Sequence, residues 1–174
     1  MDFHSRFEDW CHRILIGAVA VLCILFLSGI DRKTQAAPLT GTQAMSIYVM
    51  GGGMSGLPMP ERAPTIVLAK QAKLQELACP GRTCPMVRGL TTPDGRIWLD
   101  EELDFSDPID ASVLLHEVVH YLQWSRSGPV RSCDNWRRRE IHAYTVQMEA
   151  LHHAGVTDAP GMDEVLAWLE MQTC

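Results

Sequence analysis

The chain has 174 residues and a formal net charge of -6, which excludes a broad basic face for nucleic acid or for an anionic membrane surface. Once an apolar N-terminal segment is set aside, roughly 135 to 140 residues remain, a common size for one domain with one core. No nucleic-acid partner is expected, and the basic run Arg137-Arg138-Arg139 reads as the solvated face of a helix.

In chain order, no residue from Ile14 to Ile30 is charged; Arg6 and Arg13 precede this stretch, and Asp31, Arg32 and Lys33 follow it. That is the layout of a signal peptide or a short N-terminal membrane anchor. Residues 1–36 are therefore read as a leader, and the remainder as periplasmic or extracellular. Ala36 and Ala37 are small enough for a signal peptidase, whereas retention would hold the chain at the cytoplasmic membrane through residues 14–30. Lys and Arg are balanced on the two flanks and do not choose an orientation.

Residues 37–64 contain Gly51-Gly52-Gly53, Pro58 and Pro60 and read as a flexible linker that adds little to the core. Thr65 to Ala69 is a β-branched apolar run with strand character, followed by a short helix from Lys70 to Ala78. Met86 to Leu90 and Arg96 to Asp100 are expected as two strands joined through Pro93-Asp94-Gly95. Asp107 or Asp110 then caps a helix whose apolar positions, Val113, Leu114, Val118, Tyr121 and Leu122, recur at helical spacing to about Trp124. Gly128-Pro129 breaks it, a second helix runs from Asp134 or Asn135 to Ala154 before Gly155, and a third covers about Met162 to Met171. The expected fold is α+β: a small sheet, then an active-site helix and two further helices, over residues 65–174.

Cys11 and Cys23 belong to the leader, leaving Cys79, Cys84, Cys133 and Cys174 in the exported part. In an oxidising compartment four cysteines pair in three possible ways. A short turn-rich loop links Cys79 to Cys84; if it closes on itself, Cys133 is left for Cys174. A four-cysteine zinc site is disfavoured because only one closely spaced pair exists.

His116-Glu117-Val118-Val119-His120 lies within the first long helix, where side chains four apart share a face, so both imidazoles can reach one metal ion. Catalytic zinc takes three protein ligands and leaves a position for water. Glu117, beside the ion, is placed to take the water's proton and pass it to a leaving amine. Glu140 is the preferred third ligand, because a short loop lets two antiparallel helices bring it to the level of the histidines. The competitors are His142, on a different face, and Glu149, His152 and His153, further along the helix. Tyr144 lies one turn beyond Glu140 and is either a stabiliser of an oxyanion or a half-buried core aromatic. Gln123 is either a partner for a metal ligand or a polar interior contact. Zn2+ is the expected metal, although two imidazoles and a carboxylate also suit other divalent ions.

His-Glu-Val-Val-His followed by Arg-Glu-Ile-His-Ala-Tyr resembles the glutamate-zincin (gluzincin) arrangement, in which a glutamate on a later helix completes the metal site. The resemblance covers roughly Pro64 to Cys174. The blocks Leu115 to Gln123, Cys133, Glu140 to Tyr144 and Gln147 look like a family of small, poorly characterised bacterial proteins carrying a domain of unknown function with zincin features. This implies a zincin-like fold. The chain is far shorter than the large gluzincins and has little room for the lobe that usually forms one wall of their cleft.

These features lead to an expected zinc-dependent peptidase acting on a peptide or protein substrate. The alternative is a metal-binding or interaction module of the cell envelope that does not hydrolyse. Purely structural zinc is disfavoured for want of a fourth protein ligand. Arg96 to Asp100 is the expected edge strand for an extended substrate. The loop with Glu101, Glu102, Asp104 and Asp107 reads as a solvated acidic surface.

Overall fold

A computed structural model describes residues 36–82, 86–159 and 161–174, and residues 36–174 form one compact unit. The leader, apart from Ala36, lies outside the described residues together with Cys11, Cys23 and Cys84. Among the described residues no helix is long and apolar enough to cross a membrane.

The architecture is α+β, with five helices and a three-stranded sheet among the described residues. Helix α1 spans Gly41–Ser55, strand β1 Thr65–Ala69, helix α2 Gln71–Ala78, strands β2 and β3 Gly89–Thr91 and Arg96–Asp100, and helices α3, α4 and α5 Pro108–Ser127, Cys133–His153 and Met162–Met171. The sheet order is β1-β3-β2; β1 runs parallel to β3, and β2 is antiparallel to it.

The expected linker is instead largely helix α1. Thr40 and Gln43 form a capping box that satisfies the orphan amides of its first turn, and Gly56, at φ 64°, ends it. Of the glycines that suggested flexibility, Gly51 and Gly52 serve close packing. A Cβ at Gly51 would come within 2.6 Å of Val118 Cγ1, so its absence lets α1 lie directly on α3. Tyr48 is buried nearby, its ring beside Tyr121 and its hydroxyl donating to the Pro60 carbonyl. Residues 37–64 therefore belong to the domain.

Helix α3 is the central element. Asp107 caps it, accepting from the Ile109 amide, with Pro108 in the first turn. One side packs on the sheet and α1 through Leu114, Val118, Tyr121 and Leu122, against Ile97, Leu99 and Tyr48. Its other side presents Leu115 and Val119 to Ala143 and Val146 of α4. The helix is buried on nearly all sides along its middle, and it carries His116 and Glu117 into the interior, 8% and 6% exposed.

Helix α4 begins at Cys133, slightly before the expected start at Asp134 or Asn135, and Ser132 caps it, accepting from the Asn135 amide. Cys133 at the start of α4 is bonded to Cys174 after α5. Cys79 is a free thiol, and Cys84, at the other end of the same turn-rich loop, lies outside the described residues.

Candidate metal centre

The loop between α3 and α4 is short, and the contacts across the helix pair run in opposite senses: Gln123 meets Arg139, while Ser112 meets Gln147. This antiparallel hairpin brings Glu140 to the histidines. His120 Nε2 lies 2.9 Å from His116 Nε2, and Glu140 Oε2 lies 3.3 Å from His120 Nε2 and 3.5 Å from His116 Nε2. One donor atom from each residue falls within 4.8 Å of the other two.

The outward nitrogens determine which way these rings are protonated. His116 Nδ1 is 3.1 Å from Gln147 Oε1, and Gln147 Nε2 donates to Ser112 Oγ at 2.8 Å. His120 Nδ1 is 3.0 Å from Gln123 Oε1, and Gln123 Nε2 donates to the Arg139 carbonyl at 3.1 Å. A main-chain carbonyl only accepts, so the Gln123 amide oxygen must face the ring and Nδ1 must be its donor. Ser112 Oγ donates to the Ile109 carbonyl at 2.7 Å, so it accepts from Gln147 and imposes the same orientation on that amide. Each neutral ring thus turns an unprotonated Nε2 inward, the arrangement by which outer partners prepare histidines as metal ligands.

Two such lone pairs and a carboxylate, held together in a largely buried place, repel one another unless a cation lies between them. The donor set of two imidazole nitrogens and one carboxylate oxygen fits a divalent ion with an open coordination position. Without metal, a proton serves instead. Burial opposes charge on His120, but its hydrogen bond to Glu140 and the charges of Glu117 and Glu140 raise its pKa to about 9. Burial likewise pushes Glu140 upward, and its hydrogen bonds to His116 and His120 outweigh this and lower it to about 2.

Glu117 points from the same helix toward β2. Thr91 Oγ1 lies 2.8 Å from both Glu117 Oε2 and the Glu117 carbonyl oxygen, and so tethers the residue by side chain and main chain. Gly89 leaves room for it: a Cβ there would stand 2.7 Å from Glu117 Cγ. Strand β2, not Arg96–Asp100, is therefore the edge strand beside the site, because β3 is central and pairs on both sides. The bonds Asp100 N to Arg88 O and Thr92 N to Arg96 O fix the antiparallel phase. By alternation, the main-chain polar groups of Gly89 and Thr91 point away from β3.

His116, Glu117, His120, Glu140 and Tyr144 line one cleft of about 760 Å³. The Tyr144 ring meets His116 edge-on, with centroids 4.4 Å apart. Burial, then the charges of Glu140 and Glu117, raise its hydroxyl pKa, so it remains a proton donor at neutral pH. Of the competing ligands, Glu149, His152 and His153 are exposed, and His142 Nδ1 faces Gln123 Nε2 at 3.4 Å.

The basic run divides. Arg137 and Arg138 pair with Asp134, whereas Arg139 turns into the cleft. Sequence reasoning did not single out Ser112, Thr91 or Gly89, and it noted Gln147 only within a resemblance. A glycine inside a strand does signal close approach of another group, but nothing local identifies that group as Glu117.

The site is thus a helix-borne histidine pair completed by a glutamate from the neighbouring helix, with a second glutamate held beside it. The chain belongs to the family described as Domain of unknown function (DUF6647), which matches residues 50–171. No curated protein and no solved structure matches it.

Proposed function

We propose that this chain is a zinc-dependent peptidase of the zincin type, built on the gluzincin ligand pattern. The observation that carries this reading is the convergence of His116 Nε2, His120 Nε2 and Glu140 Oε2 beside a tethered, buried Glu117 in an open cleft. His116, His120 and Glu140 would hold the ion, which when bound supplies a Lewis acid that polarises a carbonyl and lowers the pKa of water toward neutrality. Glu117 takes the proton from the attacking water and delivers it to the departing amine. Thr91 fixes the carboxylate for both transfers. Tyr144 donates its hydroxyl hydrogen to the oxygen on which negative charge develops. The free main-chain groups of Gly89 and Thr91 suit an extended peptide laid along β2 as an added strand.

An exported setting accords with the apolar leader and with the Cys133–Cys174 disulfide, since such bonds persist mainly in oxidising compartments. The test is Glu117→Gln, which preserves shape and removes the base. It is expected to keep one zinc per chain while peptide hydrolysis falls by about 10²- to 10⁴-fold. Unchanged hydrolysis would refute the mechanism, and a wild-type zinc protein that cleaves no member of a peptide library would favour a non-hydrolytic metal-binding module.

A further inference from the structure

Much of the cleft wall away from the metal ligands is apolar, formed by Trp124, Val130, Trp136, Met162 and Val165. Two guanidiniums interrupt the lining. Arg88 is neutralised by Asp110, Nη2 to Oδ1 at 2.6 Å. Arg139 is half-buried and donates from Nη1 to the Gly128 carbonyl at 2.9 Å. Among the described residues no carboxylate lies within ion-pair distance of it, in contrast to Arg137 and Arg138.

A guanidinium has five N–H donors in a rigid fork and matches a carboxylate through two parallel hydrogen bonds. Taking it partly out of water without an anion is unfavourable. Hydrogen bonding to one neutral carbonyl leaves its charge uncompensated and most of its donors available. The Arg139 carbonyl also accepts from Gln123, whose oxygen holds His120, so the cation is rooted in the framework that orients a metal ligand.

We propose that Arg139 anchors a carboxylate of the bound peptide, so that the cleft takes substrates combining an apolar side chain with an anionic group. The proposal rests on the peptidase reading for its choice of ligand. The carboxylate is either the C terminus of the peptide or an Asp or Glu side chain.

The test uses the full zinc-loaded chain carrying Glu117→Gln, so that ligands are not consumed, and measures binding by calorimetry. One pair of probes is acetyl-Leu-Phe with a free C-terminal carboxylate and the same peptide as its amide. The other is acetyl-Leu-Phe-Asp-amide and acetyl-Leu-Phe-Asn-amide. The charged member of one pair is expected to bind roughly tenfold or more tightly than its neutral counterpart, and that pair identifies the source of the carboxylate. Arg139→Gln should erase the preference with zinc still bound, and Arg139→Lys should restore part of it, since a point charge lacks the fork. Equal binding within both pairs would overturn the proposal. So would a preference that survives Arg139→Gln, which would put the carboxylate on the metal instead. Hydrolysis by the chain with Glu117 intact separates the two readings: Arg139-dependent binding without cleavage would remove the peptidase and keep the anchor, whereas cleavage indifferent to ligand charge would do the reverse.

Discussion

Gln123 and Gln147 each direct their amide hydrogens to an acceptor on the protein and leave an oxygen for a histidine Nδ1. That choice keeps the Nδ1 proton on the outer side of each ring and aims Nε2 inward. Gln147→Ala is therefore expected to weaken zinc binding about 10- to 100-fold without unfolding the chain; competition with a chelator of known affinity measures it, and unchanged affinity would remove Gln147 from the site. Protons take over in the metal-free protein. Glu140, lowered from 4.5 to about 2, contributes stability that is present above pH 4.5 and lost as pH falls through 2. His120, raised from 6.5 to about 9, contributes stability that is present below pH 6.5 and lost as pH rises through 9. Both contributions are complete only between pH 4.5 and 6.5, where the chelated protein should melt highest; in Glu140→Gln that maximum should flatten. At this scale His116, Glu117, His120 and Glu140 were readable, because helical spacing alone places the histidines on one face and a short hairpin brings the glutamate. Gln147, Ser112 and Thr91 meet the site through tertiary contacts across 26 to 35 residues, and no local pattern announces such partners.

Among the elements, β2 and α1 depart most from the sequence-based expectation. Strand β2 covers only Gly89–Thr91, yet it supplies the tether of Glu117 and the space that carboxylate occupies. Gly89→Ala should push Glu117 aside and reduce hydrolysis more than zinc content; parallel loss of both would mean a general packing role. Which of two adjacent strands becomes the edge depends on pairing between β1 and β3, a parallel contact between segments far apart in sequence, and periodicity does not report it. In α1 the glycines resemble a linker by composition, whereas the role of Gly51 emerges only when α3 lies against it. Gly51→Val would drive a side chain into Val118 and Leu115 and should cost about 1 to 3 kcal/mol in denaturant unfolding. The long helices α3 and α4 were legible because caps, breakers and apolar spacing agree along each of them.

Over the whole molecule, the domain is one unit from Ala36 to Cys174 whose C-terminal helix is held to α4 by the Cys133–Cys174 bond, by Trp136 against Trp168, and by Arg137 donating to the Glu170 carbonyl. The disulfide closes a loop spanning 41 residues of sequence. Its loss through Cys174→Ser should lower stability by about 2 to 4 kcal/mol, and because Met162 and Val165 line the cleft, it should also weaken peptide binding more than zinc binding. The central claim, that three side chains from two helices hold one catalytic ion, is tested most directly by the zinc stoichiometry of the purified chain compared with His116→Ala and Glu140→Ala. The account predicts one zinc per wild-type chain and its loss in both folded variants; a folded wild-type chain that takes up no divalent metal, or zinc retained in both variants, would contradict it.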